Sequence, residues 1–403
     1  KEILKEFGKV GDLGNVAKRH SELVSESKKR SRNKFGMTVK DVFETLTAIA
    51  NTQGEGTVDK KISMLSGLLK KMDGISAKHL LRIPLGASRL GIGDPTILDA
   101  FAKLKLGDKD LLRSRSDDGI ALARRTLPSD EASERKSRRK LLESAYNKVS
   151  DLGLVGETLW IHGLAGVQKL DVMVGRPIRS ELCERIADPK AILGKFGGKT
   201  HVQYKYDGFR VQIHKDGDHI RLFSRNLEET TAMFPDIIKG VKAQIKAKSA
   251  ILDSEALAFN PESEEFLPFQ QTSQRRRKYD IEAMVKKLPL KAFVFDIMYL
   301  NGKSLMDQSL VTRVKSLEKV IQGDEILIPH PGEIVSDQER LENMFNDALT
   351  KGLEGLIVKR PDSKYEAGAR NFNWIKLKRN SSGQLQDTID CVILGYIFGK
   401  GKR

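Results

Sequence analysis

The spacing of apolar residues changes period near residue 170, and that change decides which architectures the chain can adopt. Upstream, apolar positions recur at three and four residues. In VKDVFETLTAIA, Val39, Val42, Phe43, Leu46 and Ile49 form the stripe of an amphipathic helix. Asp59 is placed to cap a second helix carrying Ile62, Leu65, Leu68, Leu69 and Met72, with Gly74 as its stop. Loop residues at 51–57 and a turn with Gly91, Gly93 and Pro95 lead to a further helix in TILDAFAKL. The charge-dense run 114–140 reads as solvated helix face and loop. Downstream the period falls to two. HVQYKYDGFRVQIHK (201–215) and HIRLFSR (219–225) are β-rich and joined through Asp216-Gly217, a hairpin signal. Further strands are expected at 250–259, 292–300, 355–360 and 373–379, with helical stretches around 281–287 and 337–351. The expected fold is therefore multi-domain: an all-α domain over 1–172, then an α+β domain built on antiparallel sheet over 173–386. Gly175 and Pro177 break the helical pattern at the join. A last strand-like run within 387–403 begins a unit that the chain does not finish. With Lys1 where Met would stand, both ends read as cut.

Charge narrows the function. The chain has 403 residues, 70 Lys+Arg against 54 Asp+Glu, a formal charge of +16 and a pI near 9.6. Such an excess favours a polyanionic partner, nucleic acid first, with solubility alone as the blander explanation. No apolar run reaches the ~18 residues of a spanning helix, so no membrane partner is expected. Two cysteines far apart, Cys183 and Cys391, exclude a disulfide framework and a cysteine-rich zinc module, and a reducing, intracellular compartment is expected. Seven scattered histidines form no tetrahedral ligand spacing.

Several short blocks carry chemistry. GKFGGKT (194–200) imitates a phosphate-binding loop, but three residues separate Gly194 from Gly198 where four are needed, and a β-run follows; it reads as a turn. In KYDGFR (205–210), Lys205 and Asp207 project to one side of a strand, and Arg210 returns to that side if Gly208 bends the chain. A lysine nucleophile must be neutral, which desolvation or neighbouring cations achieve. Asp253 and Glu255 share one face of an otherwise apolar strand, where a hard cation such as Mg²⁺ would compensate them. Glu354 heads the apolar run EGLIVK, which ends at Lys359. Lys376 and Lys378 lie on the strand face opposite Ile375 and Leu377, a pair suited to phosphate oxygens. Each block alone is an ordinary ion-paired strand end.

Together, and in this order, they resemble the nucleotidyltransferase motifs shared by ATP-dependent DNA ligases, RNA ligases and mRNA capping enzymes. KYDGFR, SRN (224–226), LDSE (252–255), FVFD (293–296), EGLIVK (354–359) and WIKLK (374–378) match six blocks over about 175 residues. PFQQTSQRRRKYDI (268–281) and SRLGIGDPTILDAFA (88–102) are more particular and resemble the archaeal and eukaryotic-type DNA ligases. The resemblance implies a helical DNA-binding domain over 1–172, an adenylation domain over 173–386, and at 387–403 the first strand of an OB β-barrel. It implies Lys205 as the nucleophile that takes AMP from ATP, with Asp207 beside it, and Lys376 and Lys378 holding the α-phosphate. Glu255 and Glu354 would support Mg²⁺, Arg210 and Arg225 would contact ribose and nick phosphate, and Phe295 would stack on adenine. Gln203, Tyr204 and Lys359 complete the nucleotide set. The implied partner is nicked double-stranded DNA, with a sliding clamp as a further partner and a monomeric state; the compartment would be nucleoid or nucleus according to source.

Three departures stand out. Gln203 replaces the usual glutamate, though its carbonyl still accepts a hydrogen bond from an adenine amine. Asp253-Ser254-Glu255 replaces Asp-Gly-Glu. The basic sixth motif of the OB domain is missing; self-adenylation would be crippled if these 403 residues were the whole molecule, so the expectation is a piece of a longer protein. An RNA ligase, a capping guanylyltransferase, or a catalytically silent nucleic-acid-binding relative are the competing expectations.

Overall fold

Thr38 and Asp41 close a capping box at the first helix among the described residues, α1 (Val39–Asn51): each side chain accepts from the other's backbone N–H, which satisfies two otherwise orphan donors. The computed structural model describes residues 38–52, 54, 56–86, 91–104, 129–263, 265–277 and 280–378. The expected OB strand at 387–403 lies outside the described residues. The chain divides into two compact units, residues 1–97 and 98–403.

In the first unit α1 is followed by α2 (Thr57–Leu69) and α3 (Gly74–Arg82). Two expectations are corrected here. Gly56, with no side-chain cap bond, precedes α2, so Asp59 stands inside the first turn, where a carboxylate still favours the helix dipole. Gly74 opens α3 instead of closing α2, because Asp73 caps α3 by accepting from Ile75 and Ser76 N–H. The boundary between the units falls within α4 (Asp94–Lys103).

In the second unit α5 (Ser129–Val149) and α6 (Leu152–Gln168) pack Leu142, Ala145 and Val149 against Val155, Leu159 and Val167. The strands follow in chain order: β1 (Leu182–Arg185), β2 (Thr200–Lys205), β3 (Phe209–Asp216), β4 (His219–Ser224), β5 (Ser249–Ala258) and β6 (Leu290–Leu300). Then come β7 (Lys303–Ser304), β8 (Leu327–Pro329), β9 (Glu333–Val335), β10 (Gly355–Lys359) and β11 (Arg370–Lys378). They form two sheets. The first has the order β1-β11-β10-β2-β9, the second β4-β3-β5-β6-β7 with β8 beside β6. Pairing is antiparallel as expected, apart from β1 with β11 and β6 with β8, which are parallel.

Helices cover the outer face of each sheet. α7 (Pro189–Lys195) and α11 (Gln338–Thr350) bury Ile192, Leu341 and Met344 against Val202, Leu356, Val358, Ile375 and Leu377. α8 (Pro235–Gln244), α9 (Ile281–Lys287) and α10 (Leu310–Val320) bury Ile237, Val241, Met284 and Leu317 against Val211, Ile213 and Leu252. Residues of both sheets meet in a further core of Ile251, Met298, Tyr365 and Trp374. The run 201–215 is thus not one strand: it leaves the first sheet at Lys205 and joins the second at Phe209. Gly208 permits the crossing, since a Cβ there would sit 2.4 Å from the Ala256 carbonyl oxygen.

Candidate active site

Register builds the site. On one face of the first sheet, Lys205 pairs across Gly355 with Lys378, Gln203 across Ile357 with Lys376, and His201 across Lys359 with Trp374. Alternation sends Val202, Leu356, Val358, Ile375 and Leu377 to the opposite face and into the core. Gly355 lies between the two lysines at φ 137°, where a Cβ would meet Leu377 O at 2.2 Å. Opposite, the second sheet contributes Arg210, Glu255 and Phe295. The two walls enclose a cavity of about 240 Å³, lined also by Glu181, Cys183, Arg225, His330, Ile357 and Trp374.

Charges inside are mutually compensated. Glu354 pairs with Lys205 and, at 2.8 Å, with Lys378. Burial by itself raises this carboxyl, but hydrogen bonds from the two lysines override it and hold the group below its ordinary range. Arg210 donates through Nε to Asp253 Oδ1 at 2.9 Å and through Nη2 to Oδ2, and its guanidinium lies 5.2 Å from the Phe295 ring centroid. Asp253 is fully buried, so the expected cation is not what compensates it; Arg210 does. Glu255 differs. Its Oε1 accepts from Gly208 N–H at 3.2 Å, and burial pushes its carboxyl up to about 7 against the pull of Arg210 and Lys205.

That half-compensated carboxyl suits a cation. Among the described residues no cluster of three or more His, Cys, Asp or Glu could hold a metal ion, but Mg²⁺ needs only one or two carboxylates when phosphates and waters complete its shell. Glu255 fits that demand, and Glu354 fits once a lysine leaves it for a phosphate oxygen.

At the inner end Gln203 Nε2 donates to His330 O at 2.6 Å and Phe295 O at 3.3 Å, which leaves Oε1 as its acceptor for the cavity. Lys359 is 1% exposed. Its Nζ lies 3.8 Å from the Trp374 ring centroid and 4.8 Å from that of Phe295, with no hydrogen-bond partner among the described residues. Burial lowers it to about 8, partly offset by Asp296. Glu181 Oε2 accepts from Glu366 N–H at 2.9 Å, and burial raises that carboxyl to about 8.

The structure brings Lys205, Gln203, Arg210, Arg225, Glu255, Phe295, Lys359 and Lys376 to one cavity, with Lys378 and Glu354 at its edge. Two expected residues are placed differently from the rest. Tyr204 borders the cavity, but its ring packs against the core of the opposite face, with its hydroxyl on Asp347 of α11 and Lys351 4.9 Å from its centroid. Strand parity is the reason: Gln203 and Lys205 point one way and Tyr204 the other. Asp207 is exposed on the crossing, beyond the end of β2, so alternation no longer aims it inward; partial burial and Glu354 raise its carboxyl. Sequence reading missed Glu181, Cys183, His330 and Trp374. Trp374 alternates with Lys376 and Lys378 and was findable on that ground, whereas His330 arrives through the β8–β9 connection with no local signal.

Comparison with known proteins agrees with this geometry. A family model described as DNA ligase N terminus matches residues 1–102, and one described as ATP dependent DNA ligase domain matches residues 180–378. A "Probable DNA ligase" of Dictyoglomus turgidum is 41% identical over 402 residues, covering 100% of this chain and 63% of its own length. A DNA ligase of Sulfolobus acidocaldarius is 39% identical, with 100% and 64% covered, and one of Nitrosopumilus maritimus 37% identical, with 100% and 63% covered. The chain therefore spans just under two thirds of the length of these curated relatives. With its helical N-terminal part and its two-sheet part each matched, and the motifs gathered around one cavity, the chain belongs to the ATP-dependent DNA ligase family.

Proposed function

We propose that this chain carries the DNA-binding portion (1–172) and the adenylating portion (173–386) of an enzyme that seals nicks in duplex DNA with ATP, and that 387–403 begins an OB domain. The observation that carries the reading is the row Lys205, Gly355, Lys378 with Glu354 at its end and Lys376 in the next row. The amine attacks the α-phosphorus of ATP: an N–P bond forms, the bond to pyrophosphate breaks, and the Nζ proton leaves, with Glu354 the acceptor already paired to it. Lys376 and Lys378 hold the α-phosphate oxygens, so positioning and charge do most of the work. Phe295 and Ile357 supply the faces for a planar base, and the oriented Gln203 Oε1 accepts from an exocyclic amine, which supports adenine over guanine. Glu255 and Glu354 would hold Mg²⁺, which supplies charge neutralisation on the phosphates when bound. AMP then passes to the 5′-phosphate of the nick, near Arg210 and Arg225, and the 3′-OH displaces it. The DNA contacts are phosphate-led, in keeping with the +16 charge. A sliding-clamp partner, a monomeric state and an intracellular setting belong to the same reading.

The test is nick sealing on a labelled duplex with ATP and Mg²⁺, beside labelling with α-³²P nucleotides. Lys205→Ala is expected to abolish both the labelled protein and sealing while leaving DNA binding intact. Transfer from GTP but not ATP, or equal activity of variant and parent, would overturn the proposal.

A further inference from the structure

The hydroxyl of Tyr365, in the connection between β10 and β11, sits where three elements meet behind the cavity. The residue is 3% exposed and does not line the cavity. Its Oη donates to Asp253 Oδ2 at 3.0 Å and accepts from Glu181 N–H at 3.3 Å and from Arg210 Nη2 at 3.4 Å. One donor and two acceptor positions exhaust a phenol, so the group is fully committed. Its ring stands edge-on to Trp374, 5.8 Å between centroids at 89°, and the Arg313 guanidinium lies 5.8 Å from it. Burial holds the phenol far above its ordinary range, which keeps the donor proton in place at working pH.

These bonds form a chain of orientation. Asp253 is fully buried and grips one edge of the Arg210 guanidinium, Nε and Nη2. Among the described residues the phenol is the other hydrogen-bond donor to that carboxylate besides Arg210. The remaining Arg210 nitrogen, Nη1, reaches Glu181 O at 3.4 Å. The arginine's exposed side then borders the cavity next to Phe295.

We propose that Tyr365 is a positioning residue for nucleotide capture: by fixing the Asp253 carboxylate it sets the direction in which Arg210 meets the nucleotide. The assignment rests on the cavity being an ATP site. Hydrogen bonds to charged groups are worth enough that losing this one weakens nucleotide capture by about tenfold. The experiment measures formation of the adenylated full-length protein against ATP concentration, and ATP binding by titration of the folded protein, for the parent, Tyr365→Phe, Arg210→Lys and the double variant. Tyr365→Phe retains the ring and its packing on Trp374. Its KM and Kd for ATP are expected to rise about tenfold with kcat within about twofold, and the same change in the Arg210→Lys background is expected to add nothing. A merely structural tyrosine would lower kcat through loss of active protein and leave KM alone, which overturns the assignment. Unchanged KM, or effects that multiply in the double variant, overturn it equally. A parent that forms no adenylated protein overturns the ATP reading itself; a labelled parent beside an indistinguishable Tyr365→Phe overturns the Tyr365 role alone.

Discussion

Replacing Lys359 by methionine is expected to stabilise the fold while impairing the site. The folded protein holds the Lys359 proton only up to about 8, against 10.5 for an ordinary lysine, because the ammonium is buried, with no hydrogen-bond partner among the described residues. That difference corresponds to about 3 kcal/mol of destabilisation wherever both states are charged. The rings of Trp374 and Phe295 return about 1 kcal/mol through cation–π attraction. Methionine fills the same volume with no charge to desolvate, so the net gain at pH 7 is about 2 kcal/mol. The sign with pH follows from the lowered value. Between about 8 and 10.5 the unfolded chain binds more protons than the folded one, so parent stability rises through that window and the penalty is gone above it. The advantage of Lys359→Met is therefore full below about pH 8 and vanishes near 10.5. Urea unfolding of both proteins at pH 7 and pH 10, compared as midpoint times slope, measures it. A variant no more stable than the parent at pH 7, or an advantage that stays constant with pH, would refute the reasoning. ATP-dependent labelling of Lys205 is expected to fall in the same variant, the familiar trade between a strained site and a relaxed fold.

Three further outcomes follow from the same geometry. Gly355→Ala forces a side chain to φ 137° and into Leu377 O, costing upwards of about 3 kcal/mol and parting the Lys205 and Lys378 row; stability within about 1 kcal/mol of the parent would contradict this. Tyr204→Phe removes only the hydroxyl bonded to Asp347 on the far face, so the KM for ATP is expected to stay within about twofold, and a tenfold rise would return Tyr204 to the site. Glu181 keeps its proton in the folded state up to about 8 but releases it near 4.5 when unfolded, so parent stability falls as pH rises between these values, and Glu181→Gln is expected to remove that slope in urea unfolding; an identical slope in both proteins would count against it.

The parts of the site that were legible in the sequence are those governed by strand parity and block order. Gln203 with Lys205, and Lys376 with Lys378, share a face because side chains alternate, and no tertiary information is needed for that. The same rule turns the Tyr204 ring to the far face, although its placement among the nucleotide residues came from resemblance and not from parity. Asp253 was legible as a buried acid but not in its partner, because Arg210 reaches it across strands from 43 positions away. Glu181, His330 and Tyr365 were invisible for a like reason: each arrives by a connection whose path is set by packing. In the helical part, periodicity located α1 and α2, while Asp59 and Gly74 were misplaced by one role each: α2 starts two residues before Asp59, behind Gly56, and Asp73 caps a new helix at Gly74.

The crossing from β2 to β3 has a mechanical consequence. Only Tyr206, Asp207 and Gly208 separate the last residue of one sheet from the first of the other. An extended chain gains about 3.3–3.6 Å per residue, so the steps from Lys205 to Phe209 span at most about 13–14 Å. The two walls can tilt about this tether but cannot part at it. Clearance at the nucleophile is thus bounded by covalent geometry, and one residue more or less in the tether would shift Lys205 against the second wall.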